Sequence, residues 1–242
     1  MAKTHSAVPM SPLPVRIAAG AICSGLGLLL VRAVLAVPED HPGLAPIVEE
    51  RLGESGVYHA VTAVLLNFRG YDTLLEIAVL VLATIGVLSV AGSHPGVWAP
   101  VAEEADPVLS TLSRFLAPVM VLVSGYLLWA GEAAPGGAFQ AGSVLGASGV
   151  LLALSGYARP AWVTRLALRV VISVGFIIFL AIGVGAMFVG GALLEYPAEL
   201  AHDLILLVET WLTVSIGAIL VSLFIASASP VDELRARQGG GR

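Results

Sequence analysis

Residues 170–194 read VVISVGFIIFLAIGVGAMFVGGALL, a run of 25 residues without Asp, Glu, Lys or Arg. About 20 apolar residues in a helix cross the hydrocarbon of a bilayer, whereas a charged side chain at its centre costs about 3 kcal/mol. The core of a soluble domain of this size does not require apolar runs of such length. The stretch therefore predicts a membrane-spanning helix and indicates the fold class of the chain.

Five further stretches follow the same pattern. Three of them contain no charged residue: 77–102, 133–158 and 210–231. The other two are a shorter run after Arg114 and an N-terminal run with Arg16 and Arg32 near its ends, where long side chains reach the interface. The predicted transmembrane helices are 15–37, 73–91, 111–130, 139–157, 167–189 and 204–227. The chain is thus predicted to be an all-α polytopic membrane protein with about six transmembrane helices.

The composition excludes two other classes of protein. Of the 242 residues 57 % are apolar and 12 % charged, which is too little polar surface for a soluble enzyme. Seventeen acidic residues against 12 basic ones leave no basic surface for nucleic acid. The single cysteine, Cys23, has no partner for an internal disulfide.

The basic residues predict that both termini are cytoplasmic. With that orientation nine of the 12 Lys and Arg residues lie inside, in agreement with the positive-inside rule. Only three of them then lie on the outer side: Arg32, Arg51 and Arg69. The outer loops are correspondingly acidic, and we expect a multi-pass protein of a bacterial plasma membrane.

Breaks in the apolar pattern divide the chain into segments. We expect a two-span segment at 1–92, a linker at 93–110, a four-span domain at 111–230 and a disordered tail at 231–242. Inside the first connection, 55–67 predicts a short helix that is too brief to cross the membrane.

The first candidate site is NFRGYDTLLE at 67–76, which opens the second predicted span. Asp72 and Glu76 stand four residues apart on one helix face, with Arg69 as a partner for either. A carboxylate one turn inside a bilayer should be protonated, paired or hydrated, which makes Glu76 a candidate proton or cation site. The structural alternative is that Asp72 caps the helix and Glu76 complements its positive end.

The second candidate is GEAAPGGAFQAG at 131–142. Pro135 ends the third span, and Gly136 and Gly137 allow close backbone approach before the fourth span begins. The pattern predicts a tight outer hairpin with Glu132 beside a positive helix end. A purely structural turn is the alternative.

The third candidate is Glu209, about two turns inside the last span. An unpaired carboxylate is costly there, so we expect it to face protein or water and not lipid. His202 and Asp203 precede it and mark the membrane interface. The three side chains match no established metal motif, and we expect no metal site.

The second candidate resembles a known signature. PGGAFQAG at 135–142, preceded by Gly131 and Glu132, is similar to the GHxxPGGGFQGG motif of the B-type subunit of multisubunit Mrp (Mnh) monovalent cation/proton antiporters. The resemblance covers about residues 107–230. It implies structural roles for Pro135, Gly136, Gly137, Phe139, Gln140 and Gly142.

The first candidate resembles a segment of the same systems. NFRGYDTLLE is similar to the DFRGFDTxxE segment near the C-terminal end of their A-type subunit, which implies an A-like end, with Arg69 and Gly70 as structural residues, followed by a B-like domain. Asp72 and Glu76 are kept. Three positions differ from the family: Asn67 replaces Asp, Glu132 replaces His and Ala138 replaces Gly. Glu132 remains a group that can titrate.

The resemblance implies an accessory membrane subunit of a sodium (monovalent cation)/proton antiporter and not an enzyme. Its candidate ion-path residues are Asp72, Glu76, Glu132 and Glu209. The expected partners are other hydrophobic subunits including antiporter-like ones, membrane lipid, monovalent cations and protons, with no cofactor, no metal and no nucleic acid. Two alternatives stay open: the same module in a redox-driven complex such as a membrane-bound hydrogenase, and a purely structural scaffold.

Overall fold

The computed structural model describes residues 13–37, 43–91, 106–157, 164–189, 191–197 and 199–239. Within these ranges the regular elements are all helical. The α-helices are α1 (Leu13–Leu35), α2 (Ala45–Arg51), α3 (Ala60–Ala63), α4 (Gly70–Ala91), α5 (Pro107–Ala130), α6 (Ala138–Leu154), α7 (Arg165–Phe188) and α8 (Ala201–Gly239). A 3₁₀ turn at Leu52–Glu54 and a π-helical turn at Val64–Phe68 complete the set.

The predicted fold class is confirmed. Among the described residues, five helices are long and apolar enough to cross a membrane: α1, α4, α5, α7 and α8. Helix α6 is apolar but shorter, with 17 residues. Each of the six predicted spans falls on one of these helices, and the chain is an all-α polytopic membrane protein.

Two helix ends differ most from the prediction. Helix α5 begins at Pro107 and not at residue 111, because Asp106 Oδ1 accepts the Val108 N–H at 2.8 Å and Pro107 is favourable in a first turn. Most of the predicted linker lies outside the described residues, at 92–105. Helix α8 continues to Gly239, past the predicted end of the last span at residue 227; Glu, Leu, Arg and Ala are good helix formers.

The chain divides into two compact units, Met1–Pro46 and Ile47–Arg242. The described part of the first unit is dominated by α1, in which no residue is buried. A mean hydropathy of 2.0 over this helix is typical of a segment that is covered by lipid or by another membrane helix. The second unit holds the candidate site.

Helix α8 is the centre of the second unit. It packs against α4, α6 and α7. Its fully buried side chains recur every three or four residues, the period of one helix face: Ile205, Val208, Leu212, Ser215 and Ile219. Because several helices contact α8, residues at its first turns are placed against several segments at once.

Small residues allow this close packing. A Cβ on Gly142 of α6 would lie 2.8 Å from Cβ of Ile216, and one on Gly175 of α7 would lie 2.8 Å from Cβ of Ser215. The hydroxyl of Ser124 on α5 donates to the carbonyl of Ala141 on α6 at 2.8 Å. Such backbone approach and interhelical hydrogen bonds are typical of membrane helix pairs.

The loop before α8 fixes the start of α4. Leu194 is buried, has φ +65°, and would meet a Cβ on Gly70 at 3.4 Å and one on Gly183 at 2.6 Å. Tyr196 is also buried, and this burial raises the pKa of its phenol. The loop therefore wedges between the first turn of α4 and the last turns of α7.

Candidate functional site

The connection between α5 and α6 is a tight hairpin of backbone contacts. Gly137 N–H donates to the carbonyl of Leu127 at 2.9 Å, and a Cβ on Gly136 would lie 2.4 Å from the same oxygen. Gly137 has φ +101° and ψ −173°, a conformation that is nearly restricted to glycine. The geometry thus requires glycine at both positions.

The carboxylate of Glu209 lies directly on this hairpin. The residue is 5 % exposed, and a Cβ on Gly137 would lie 2.7 Å from its Oε1 atom. The carboxylate interacts with the backbone N–H of Ala138, the first residue of α6. The free N–H groups and partial positive charge of a helix N-terminus stabilise a negative group at this place.

A small cavity opens beside Glu209. Its volume of about 20 Å³ is enough for roughly one water molecule. The hairpin, α3 with the π-helical turn, α4 and α8 all contribute to its wall. The polar side chains at the wall are Thr62, Thr73, Gln140 and Glu209.

The wall opposite the hairpin is an irregular helix. The π-helical turn is closed by Arg69 N–H, which donates to the carbonyl of Val64 at 2.8 Å. Thr73 Oγ1 donates to the carbonyl of Leu65 at 2.6 Å, and Thr62 Oγ1 donates to the carbonyl of Gly131 at 2.6 Å. Such π-helical turns are frequent at functional sites. The predicted short helix is therefore packed on the hairpin through hydrogen bonds.

Glu132 reaches α8 at the other end of the hairpin. Its Oε1 atom lies 3.5 Å from Nδ1 of His202, and Nε2 of His202 lies 3.9 Å from Oδ1 of Asp203. Glu209 is seven residues further along α8, a rise of about 10 Å. In the described residues no group of three or more His, Cys, Asp or Glu could hold a metal ion.

The other two predicted ion-path residues lie away from the cavity. Asp72 forms an ion pair with Arg69, and both side chains are largely exposed. Glu76 is exposed on α4, whereas Thr73 and Ile77 of the same helix are buried. The structure thus separates Asp72 and Glu76 from Glu209.

The predicted structural residues surround the site to different degrees. Gly136, Gly137, Phe139 and Gln140 line the cavity. Pro135 is exposed. Gly142, one helical turn after Ala138 on α6, packs against Ile216 of α8. Sequence reasoning missed Thr62 and Thr73, because a single hydroxyl in an apolar run carries no signal of the contact that it makes.

The family comparison agrees with the hairpin motif. Residues 108–229 match the model described as "Domain related to MnhB subunit of Na+/H+ antiporter". This match covers half of the chain, from the start of α5 into α8. The predicted resemblance to the B-type component of these antiporters is confirmed.

Two curated relatives are similar in sequence. A probable K(+)/H(+) antiporter protein of the combined A/B type from Rhizobium meliloti is 29 % identical over 210 residues, which is 75 % of this chain and 21 % of the relative. An uncharacterized protein of Methanocaldococcus jannaschii is 29 % identical over 149 residues, 54 % of this chain and 57 % of the relative. The chain therefore spans only part of each relative.

Two solved structures share the fold. A chain of the Mrp complex from Dietzia sp. DQ12-45-1b has a TM-score of 0.67 and 26 % identity, with 94 % of this chain and 27 % of that chain covered. A chain of the membrane-bound sulfane sulfur reductase, an archaeal respiratory membrane complex, has a TM-score of 0.68 and 23 % identity, with 89 % and 99 % covered. The second likeness concerns the fold alone.

The contact between Gly137 and Glu209 leads to a stability prediction. Gly137→Ala should lower the free energy of unfolding by about 1–3 kcal/mol, because φ +101° strains any side chain and the new methyl group displaces the carboxylate. Thermal unfolding of the purified chain in mild detergent measures the loss.

The matched control is Gly86→Ala on α4, where an added Cβ meets no atom within 4 Å. It should keep the wild-type unfolding temperature. Equal unfolding temperatures for the two variants would show that the hairpin does not need glycine at position 137.

Proposed function

Because the chain belongs to the family of domains related to the MnhB subunit of Na+/H+ antiporters, we propose that it is an accessory membrane subunit of a multisubunit monovalent cation/proton antiporter. Its own contribution to the ion path is the Glu209 carboxylate. The observation that carries this proposal is the burial of this carboxylate beside a water-sized cavity, on the backbone of the family motif.

The position of Glu209 suits a group that exchanges ions. A carboxylate in a low-dielectric interior is costly unless something balances its charge. The Ala138 N–H supplies one favourable backbone interaction, and neither lysine nor arginine pairs with Glu209 among the described residues. A proton or a small cation in the adjoining cavity would complete the balance.

Exchange follows from competition between a proton and a cation for the Glu209 carboxylate. A proton on Glu209 removes the charge that attracts a cation, and a cation at the carboxylate disfavours the proton. The two ligands therefore exclude one another. A site of this kind passes protons and cations alternately when other subunits open it to one side of the membrane at a time.

The chain requires other subunits for transport. Its only lysine is Lys3, so it lacks the buried lysine relay expected of an antiporter-like pumping subunit. The R. meliloti relative is nearly five times as long as the matched part, and its name combines the A and B types in one protein. We place the chain in a bacterial plasma membrane beside antiporter-like subunits and lipid, with 1–92 as the A-like end.

Glu76 fits a contact with such a neighbouring subunit. It is exposed among Leu75, Val79 and Leu82, which are exposed apolar side chains of the same helix. A carboxylate in contact with lipid is costly, so this face of α4 should be covered by protein or by a water-filled path. Asp72, paired with Arg69, lies at the end of the same face.

Replacement of Glu209 tests the proposed ion path. Glu209→Gln keeps the size of the side chain but cannot release a proton or attract a cation, so we expect at least a tenfold loss of cation/proton exchange. The measurement is the collapse of a pH gradient by added cation in everted vesicles that contain the whole complex.

The control for this experiment is Glu199→Gln, an exposed carboxylate just before α8. It should retain wild-type exchange. Wild-type exchange in Glu209→Gln, with the complex present in normal amount, would remove Glu209 from the ion path.

Glu76→Gln tests the second position. We expect reduced exchange while the other subunits still co-purify with the chain, because the amide keeps the packing but loses the charge. A variant with full exchange would leave Glu76 with a capping role only, and a variant that loses its partners would assign it to assembly.

The alternative function is the same module in a redox-driven membrane complex, and the fold shared with a chain of an archaeal respiratory complex keeps it open. Purification of the chain from its own membranes, followed by mass spectrometry of the partners, separates the two. Antiporter-like subunits alone are the expected result. Iron–sulfur or hydrogenase-like subunits would contradict the antiporter assignment.

A further inference from the structure

The hairpin is attached to α8 at two points. At one point the Glu209 carboxylate lies against the backbone of Gly137 and Ala138. At the other point Glu132 lies 3.5 Å from the imidazole of His202. The two α8 residues are seven positions apart, which is two helical turns on one face of the helix. One short segment of chain therefore connects a partly exposed titratable pair to a buried carboxylate.

We propose that Glu132 and His202 form a proton-loading pair, which passes protons between water and the cavity of Glu209. The proposal rests on the proposed function of Glu209 and adds the groups that serve it. The imidazole and the Glu132 carboxylate share a proton taken up from water outside, and this proton passes along the hairpin toward the cavity.

Exposure and distance place the pair correctly for this role. The side chains of His202 and Glu132 are 42 % and 29 % exposed, so both reach water, whereas Glu209 does not. An imidazole has two ring nitrogens, so it can accept a proton at one and donate a proton from the other. His202 is the described residue in this end of the chain that combines such chemistry with a carboxylate partner.

Carboxylates from two elements face the imidazole of His202. Glu132 faces it from the hairpin and Asp203 from its own helix, at 3.5 Å and 3.9 Å. The segment before α3 contributes backbone only, since Gly56 packs against Ala201 and the His202 amide. These two carboxylates are the charged groups within 4 Å of His202 in the part of the chain that the structure describes.

A polar link runs from the pair toward the cavity. Tyr58 N–H donates to the carbonyl of Glu132 at 3.2 Å, and Thr62 Oγ1 donates to the carbonyl of Gly131 at 2.6 Å. Thr62 also lines the cavity of Glu209. The loading pair and the buried carboxylate therefore share one continuous piece of hydrogen-bonded structure, with room for water at its inner end.

The pH profile of exchange by the assembled complex tests the pair. The ratio of exchange rates between about pH 6 and about pH 8, the range in which an imidazole titrates, should change at least threefold in His202→Gln and in Glu132→Gln. A merely structural contact would lower the rate equally at all pH values.

The double variant Glu132→His with His202→Glu restores a histidine–carboxylate pair in the opposite order, and we expect it to recover the wild-type profile. The control is His59→Gln, a histidine at the start of α3 whose side chain makes no capping hydrogen bond. It should keep the wild-type profile.

An unchanged profile in His202→Gln, or a double variant that behaves like the single ones, would overturn the loading pair. If Glu209→Gln abolishes exchange while the His202→Gln profile is unchanged, the ion path stands and the pair fails. If Glu209→Gln retains wild-type exchange, the ion path fails and the loading pair fails with it, because the pair serves the cavity of Glu209. Should a single variant not assemble, the double variant alone decides, since only a functional pair restores the profile.

Discussion

The structure depends on one contact, in which a buried carboxylate of α8 lies against the backbone at the start of α6. This contact is possible only where the hairpin has no side chain, because a Cβ on Gly137 would lie 2.7 Å from Glu209 Oε1. A carboxylate inside a membrane protein must be balanced, and a helix N-terminus offers partial balance. The glycines of the motif thus have two roles. They allow the tight turn, and they leave space for the Glu209 carboxylate.

The remaining packing keeps this contact in place. Thr62 fastens α3 to the hairpin through the Gly131 carbonyl, and the π-helical turn that follows forms the opposite wall of the cavity. Gly142 then holds α6 close to Ile216 on α8. The family signature therefore forms both a structural hairpin and part of the wall of the cavity beside Glu209. A structural role and a functional role are compatible in this segment.

The helices were predictable from sequence, whereas the site was only partly so. Charge-free runs located all six apolar helices, and the Pro-Gly-Gly run at 135–137 indicated the hairpin. Asp106 and Pro107 are residue types that favour a helix N-terminus, and they indicate the start of α5 at Pro107. The charge-free run alone placed that start at residue 111. No local pattern could show that Glu209 meets Gly137 or that Glu132 meets His202, because about 70 residues separate each pair and only helix packing joins them.

Chemical labelling tests the central claim most directly. A hydrophobic carbodiimide reacts with protonated carboxyl groups in apolar surroundings, and peptide mapping by mass spectrometry locates the product. We predict that Glu209 in the native complex is modified and that a transported monovalent cation slows this reaction, since both ligands compete for one carboxylate. Labelling that spares Glu209, or that is insensitive to every monovalent cation, would contradict an exchange site at the hairpin.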